Sequence, residues 1–324
     1  MPVEYQHISV LKQEILELMK PQPGQHFIDG TLGGGGHTES ILEQTSPDGK
    51  VLAFELDDRA IKAAKKRLKK YQERLIIVHK SYVHLKQEFK KHTKEFKKPS
   101  GIILDLGLSS DQLDRADRGF SFKDHGSLDM RFDKKGQTLT ASDIILTWPE
   151  DKLIKIFREY GEVKQSKRLA KGFILWRQTL VKQKQKMLKT SMLVYVILRI
   201  LNIKPDSVKR FRKHPATQVF QSLRIAVNGE LDNLQSVLPQ AIEVLPTGGR
   251  LAVISFHSLE DRIVKRYFKK LAQNCICPPT NPICNCDNEA QVKLVNKRAI
   301  KPSQAEITSN PRSRSAILRV IEKV

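Results

Sequence analysis

His26-Phe27-Ile28-Asp29-Gly30-Thr31-Leu32-Gly33-Gly34-Gly35-Gly36-His37-Thr38 decides how this chain reads. The first four residues have the makings of a short buried strand ending in an acid. Four consecutive glycines then leave the backbone without Cβ atoms, free to turn sharply and to approach a ligand closely. A helix starting directly after such a loop presents unpaired N–H groups to whatever lies there. The stretch is therefore a nucleotide-type cofactor cradle in outline.

Reading outward, the rhythm on both sides suits a cradle. Before it, Leu11, Ile15, Leu18 and Met19 fall on one helical face, with Ser9 as the expected cap and Pro21 as the stop. After it comes a turn at Pro47-Asp48-Gly49, then the apolar run Val51-Leu52-Ala53-Phe54 ending at Glu55. Asp58 is the expected cap of a helix striped by Ile61, Ala64, Leu68 and Tyr71. Leu75-Ile76-Ile77-Val78 reads as a third strand, residues 85–96 as a helix, and Gly101-Ile102-Ile103-Leu104-Asp105 as a fourth strand. Alternation of this kind predicts a parallel, doubly wound α/β sheet.

Beyond Leu108 the rhythm breaks. Residues 113–215 carry helical patterns such as Leu153, Ile156, Phe157 and Tyr160, and are expected to form an inserted helical domain. Residues 1–112 and 216–324 then make up a discontinuous core. In the second half, residues 216–245 read as a long helical region and Arg250-Leu251-Ala252-Val253-Ile254-Ser255 as a strand. Ser258 and Asp261 suggest a capping box, and residues 315–321 a closing strand.

Charge points to a partner. The 324 residues hold 57 Lys and Arg against 35 Asp and Glu, a net +22. Residues 163–214 contain fifteen basic residues and one acid, Asp206. A merely lysine-rich surface would intersperse acids, so the run favours a polyanion, most simply nucleic acid. Neutralising Lys182, Lys184 and Lys186 is expected to lower that affinity and leave cofactor binding alone. Phe173 and Trp176 stand at helical spacing with Leu169 and Leu180, which makes them core rather than stacking platforms. The longest apolar run, from Met192 to Leu198, falls far short of the roughly 20 residues of a membrane span. With no basic-then-apolar start either, the expectation is a cytoplasmic protein without membrane contact.

The glycines do not fit the nicotinamide fingerprint, because the pattern counted from Gly33 meets Thr38 where a third glycine is needed. Instead Asp29, Glu55 and Asp105 stand at three strand ends, the carboxyl edge where ligands of such sheets bind. Glu55 is placed for ribose hydroxyls. An acid-rich edge suits a cofactor with a ribose, an adenine and a cationic centre, which describes S-adenosylmethionine.

With those residues in view, a resemblance can be stated. Asp29-Gly30-Thr31-Leu32-Gly33-Gly34-Gly35-Gly36-His37, Leu104-Asp105-Leu106-Gly107-Leu108-Ser109-Ser110, Arg118-Gly119-Phe120-Ser121-Phe122, Leu128-Asp129-Met130-Arg131, His214-Pro215-Ala216-Thr217 and Ser255-Phe256-His257-Ser258-Leu259-Glu260-Asp261-Arg262 resemble the bacterial small-subunit rRNA cytosine-N4 methyltransferase family (RsmH/MraW type). The match runs in order over residues 7–319. It implies a class I S-adenosylmethionine-dependent methyltransferase core with a helical insertion. It also implies methylation of the exocyclic N4 of a cytidine in the decoding (P-site) region of 16S rRNA, within the small ribosomal subunit. By matching motif, Gly33, Gly35, Gly36, His37, Glu55, Tyr82, Asp105 and Gln112 become the cofactor residues. Glu55 departs from the family's usual Asp, Gly34 from a common basic residue, and Tyr82 from a common Phe.

At the substrate end, N4 is a weak nucleophile that needs an acceptor for its proton. Many amino-methyltransferases place Asn/Asp/Ser-Pro-Pro-aromatic after the fourth strand; here Asp105 is followed by Leu106-Gly107-Leu108-Ser109-Ser110. Asp105 with Ser109 or Ser110 is the local candidate for acceptor. Phe256 or His257 is a candidate for contacting an unstacked base, with a structural role the equal alternative for His257. All four cysteines fall in Cys275-Ile276-Cys277 and Cys284-Asn285-Cys286, a grouping that suggests a structural zinc, with a free-thiol surface loop as the alternative. Competing readings of the whole are a nicotinamide-dependent oxidoreductase and an inactive, ribosome-associated RNA-binding protein. A homodimer and a monomer are both compatible with the sequence.

Overall fold

The computed structural model describes residues 8–122, 125–181, 187–211, 213–278 and 285–324. Lys182, Lys184, Lys186 and Cys284 therefore lie outside the described residues. The chain forms two compact units, one of residues 1–109 and 231–324, the other of residues 110–230.

The first unit is built on seven strands: β1 (Phe27–Asp29), β2 (Val51–Phe54), β3 (Leu75–Val78), β4 (Gly101–Asp105), β5 (Arg250–Ser255), β6 (Val292–Leu294) and β7 (Ile317–Lys323). They lie in the order β3-β2-β1-β4-β5-β7-β6. Neighbours from β3 to β5 are parallel, and β7 runs antiparallel to both β5 and β6. Its helices are α1 (Lys12–Met19), α2 (Gly36–Gln44), α3 (Asp58–Arg67) and α4 (Leu85–Lys91). The second unit follows with α5 (Ser110–Asp114), α6 (Ala141–Thr147), α7 (Glu150–Glu159), α8 (Ser166–Val181), α9 (Thr190–Leu201) and α10 (Thr217–Asn228). The chain then returns to the sheet through α11 (Glu230–Val244) and α12 (Ser258–Leu271). The expected doubly wound α/β sheet with a helical insertion is what the chain forms.

Successive strand residues serve opposite faces of the sheet. Ile28, Leu52, Phe54, Ile102, Leu104, Leu251 and Val253 pack with Leu234, Leu238 and Ala241 of α11, Val264 and Phe268 of α12, and Leu85 of α4. Phe27, Val51, Ala53, Ile103, Ala252 and Ile254 pack with Ile15 and Met19 of α1, Ile41 and Leu42 of α2, and Ala64 of α3. Because both faces are covered, the central strands read as continuous apolar runs rather than alternating ones. β6 gave no such signal, since only Val292 of its three residues is buried. β1 pairs with β2 on one side and β4 on the other, so the strand order reverses there, and in such sheets ligands bind beyond the carboxyl ends at that point.

Three local expectations are corrected. Ser9 does not cap α1; Leu11, in the left-handed region at φ 54°, precedes the helix without a side-chain cap. Asp57, not Asp58, caps α3, its carboxylate accepting from Arg59 N–H at 2.9 Å. His257 and Glu260, not Ser258 and Asp261, form the capping box of α12. A cap needs extended backbone at a residue whose acceptor reaches two or three residues ahead, and sequence pattern places that residue only to within one or two positions. The helical region expected over residues 216–245 is present as two helices, which meet at Gly229 with φ 60°. Residues as far as 230 belong to the second unit, fifteen positions later than the expected edge at 215, because α10 packs on α6 and α7.

Within that second unit, α8 buries Leu169, Ala170, Phe173 and Leu180 and exposes Lys167, Arg168 and Lys171. Phe173 lies 5.7 Å from Phe157 and 6.2 Å from the half-buried Trp176, ring centre to ring centre. Phe122 stacks on His214 at 4.5 Å and meets Phe220 edge-on at 5.4 Å. Asn228 donates to the carbonyls of Met130 and Arg224, at 2.8 and 2.9 Å, and accepts from Phe132 N–H at 2.8 Å. Asp129 holds Arg131 through two parallel hydrogen bonds of 2.8 Å. Motifs far apart in sequence are thus joined in one helical body.

Candidate cofactor and active site

The glycine loop is pinned at both ends. Gly30 N–H donates to the Ile103 carbonyl at 2.9 Å and Leu32 N–H to the Phe54 carbonyl at 3.0 Å, so β4 and β2 hold the loop against the sheet. Gly35 then takes φ +79°, and a Cβ there would sit 2.8 Å from Leu68 Cδ1. A Cβ on Gly36 would fall 1.9 Å from Ser9 Oγ. Neither position accommodates a side chain. α2 starts immediately after, with no side chain capping its first N–H groups. Those donors and the positive end of the helix dipole suit a carboxylate, such as that of a methionyl group.

Each strand-end acid has a distinct job. Asp29 is buried; Thr38 Oγ1 donates to one of its oxygens at 2.7 Å and Thr31 N–H to the other at 3.0 Å. Burial pushes its carboxyl up from the usual range, with the Thr38 bond opposing. It is a brace between the strand end and α2. Glu55 accepts from Gly33 N–H at 2.8 Å, Leu56 N–H at 2.8 Å and Asp57 N–H at 2.9 Å. Burial pushes its carboxyl up as well, against the pull of those three donors. A carboxylate offers about four acceptor positions, so one on Oε2 stays open for a hydroxyl.

Asp105 ends β4. Its N–H donates to Thr31 Oγ1 at 2.6 Å, which locks the first glycine turn to the strand carrying the acid. Its carboxylate Oδ2 lies 3.6 Å from His37 Nε2. Asp105 Oδ1 and both ring nitrogens of His37 are buried and have no hydrogen-bond partner among the described residues. Buried polar atoms without partners are costly and rare. Three such atoms together at the carboxyl edge fit a polar ligand bound there, and the acids, glycines and helix start around them fit S-adenosylmethionine. Tyr82, just past β3, packs beside the strand residues, 3.4 Å from where a Cβ on Gly30 would be.

At the neighbouring strand end, the Phe256 ring lies 3.6 Å from the Cβ position of Gly107, itself at φ +98°. The aromatic and the Asp105 loop therefore adjoin. His257 has a structural task, since its ring Nδ1 accepts from Glu260 N–H at 3.4 Å while Glu260 accepts from Phe256 N–H at 2.8 Å. Ser109 ends the first unit; Ser110 opens α5 of the second, and Gln112 of that helix is buried. The supporting threonines, Thr31 and Thr38, escaped sequence reasoning because their partners become neighbours only when strands pair.

The chain matches the MraW methylase family over residues 4–324. It belongs to that family. Ribosomal RNA small subunit methyltransferase H of Syntrophotalea carbinolica is 42% identical over 320 residues, covering 99% of this chain and 98% of the relative. The protein of the same name from Clostridioides difficile is 42% identical over 322 residues, covering 99% and 100%. Among solved structures, an rRNA methylase from Streptococcus thermophilus aligns over 98% of this chain and 99% of its own, at 11% identity and a TM-score of 0.41. The chain is thus a methylase-family member built on a doubly wound α/β sheet, and the nicotinamide reading is set aside. No helix among the described residues is long and apolar enough to cross a membrane.

Proposed function

We propose that this protein methylates the exocyclic N4 of a cytidine in the decoding (P-site) region of 16S rRNA, using S-adenosylmethionine, on the small ribosomal subunit in the cytoplasm. The observation that carries the methyl-donor half is the crevice at the β1–β4 switch. There Glu55 keeps an open acceptor, and His37 and Asp105 hold buried polar atoms for which the protein supplies no partner among the described residues. The names of full-length relatives at 42% identity support the rRNA half.

In this reading Glu55 receives the ribose, Tyr82 covers the adenine, and the start of α2 at Gly35, Gly36 and His37 receives the methionyl end, with Gly33 and Gln112 completing the set. The bound cofactor supplies a methyl group made electrophilic by its sulfonium. The protein's task is then to align the amine and take its proton. Asp105 Oδ1 accepts an N4 hydrogen, turning the nitrogen lone pair toward the methyl, and takes the proton as the N–C bond forms; Ser109 or Ser110 assists. Phe256, beside Gly107, offers a face for the extruded base, and His257 holds the α12 start that carries it. The exposed basic side chains of the inserted unit, Lys167, Arg168 and Lys171 among them, meet the RNA phosphates.

The test uses small subunits from cells lacking the gene. Labelled methyl should transfer from S-adenosylmethionine to one cytidine, located by mass mapping of the rRNA. Calorimetric binding of the cofactor without any transfer to small subunits or naked rRNA would instead mark an inactive, RNA-binding protein.

A further inference from the structure

The loop between α12 and β6 holds a cluster that the methyl-transfer site does not use. Cys275, Cys277 and Cys286 bring their Sγ atoms within 4.8 Å of one another, and Cys275 Sγ and Cys286 Sγ are 3.8 Å apart. We propose that these three thiols bind one zinc ion, a structural site that staples the end of α12 to the edge of the sheet. Cys284, the remaining cysteine of the sequence, lies outside the described residues.

Three observations carry the assignment. First, the spacing fits. Zn–S bonds of about 2.3 Å at tetrahedral angles place neighbouring sulfurs about 3.8 Å apart, whereas a disulfide needs about 2.05 Å and would use only two of the three. Second, the backbone around the sulfurs is arranged about them. Ile276 N–H points at Cys286 Sγ at 3.3 Å and Cys277 N–H at Cys275 Sγ at 3.4 Å, so backbone donors turn toward the sulfurs as they do around metal-bound cysteines. The Cys277 thiol donates to Asn285 Oδ1 at 3.2 Å, which fixes that sulfur beside the other two. Third, hydrophobic packing does not explain the convergence. Cys275 is exposed, Cys277 and Cys286 are half-buried, and Ile276 leaves 57% of its surface in water.

The loop's stem shows what a metal would secure. Gln291 N–H donates to the Leu271 carbonyl at 2.8 Å, Asn288 Nδ2 to the Gln273 carbonyl at 2.5 Å, and Ala290 N–H to Asn274 Oδ1 at 3.2 Å. These few bonds align β6, a three-residue edge strand, and a clip closing the loop beyond them removes much of its freedom in the unfolded chain. Among the described residues the set is all sulfur, the donor type of structural zinc sites.

The experiment uses the full chain purified under reducing conditions without chelator. Elemental analysis should give one zinc per chain, and exchange with cobalt(II) should give the visible bands of a tetrahedral cobalt–thiolate centre. Cys275→Ser combined with Cys286→Ser should lose both. Chelation should lower the melting temperature of the wild type but not of the variant, with S-adenosylmethionine affinity unchanged in each, so that the outcome stands apart from the methyl-transfer reading. Absence of stoichiometric zinc after loading would overturn the proposal, as would zinc retained by the double variant or a Cys275–Cys286 disulfide in the reduced preparation.

Discussion

Gly33 N–H donates to Glu55 Oε2 at 2.8 Å, across 22 residues of sequence. The acid expected to face a ribose is also the anchor of the glycine loop, so loop shape and cofactor affinity are linked through one side chain. Glu55→Gln replaces one acceptor oxygen by a donor and removes the charge. Hydrogen bonds to charged groups contribute about 1.5–3 kcal/mol, so S-adenosylmethionine affinity should fall by about 10- to 100-fold in a titration calorimeter. Unchanged affinity would remove Glu55 from the site.

Gly35→Ala should cost both stability and binding. The left-handed backbone alone costs a non-glycine residue about 1–2 kcal/mol, and the new Cβ meets Leu68. Thermal unfolding should shift down by several degrees, and cofactor affinity should fall by more than tenfold. A variant that melts and binds like the wild type would show that the loop is not held in this shape.

Asp105→Asn keeps the shape of the side chain and removes its capacity to take a proton. If Asp105 is the acceptor, kcat at saturating cofactor should drop by about 10²- to 10⁴-fold. Methylation at the wild-type rate with normal cofactor binding would end that assignment and move attention to Ser109 and Ser110.

Asp129 carries a pH dependence of stability. Burial alone would raise its carboxyl, but the hydrogen bonds and charge of Arg131 outweigh it and hold the group below its ordinary value. The folded state therefore binds the Asp129 proton less readily than the unfolded state does. The resulting stability is fully present above the unfolded value, near 4, and is lost as pH falls through the lower folded value. The difference in urea midpoint between wild type and Asp129→Asn should be largest at neutral pH and shrink in acid. A difference that stays constant would exclude the ion pair as its source.

Lys167→Gln with Lys171→Gln tests the RNA face, since both side chains are exposed on α8 while Leu169, Ala170 and Phe173 are buried. RNA affinity should fall, and its dependence on salt should flatten by about 0.7 in log–log slope for each phosphate no longer neutralised. Melting temperature should hardly change. Equal affinity and slope would place the RNA elsewhere.

Periodicity and residue type were enough for the sheet, because strands covered on both faces must be apolar throughout and helices covered on one face must be striped. They were also enough to mark Asp29, Glu55 and Asp105 at strand ends, since an acid closing an apolar run stands out by composition. The edge strand β6 and the helix starts at Leu11, Asp57 and His257 were not legible, as they rest on one buried side chain or on single backbone angles.

What the sequence determined by itself was the kind of fold, the cradle and the family, all carried by local runs of residues whose chemistry does not depend on distant partners. What only the tertiary structure decided was how the groups divide their work. Thr31 reaches Asp105 across 74 residues, Glu55 holds Gly33, His257 caps α12, and the α12–β6 loop turns Cys275 and Cys286 toward each other. These relations depend on strand register and loop closure, which bring remote positions within hydrogen-bond distance and leave no trace in the spacing along the chain.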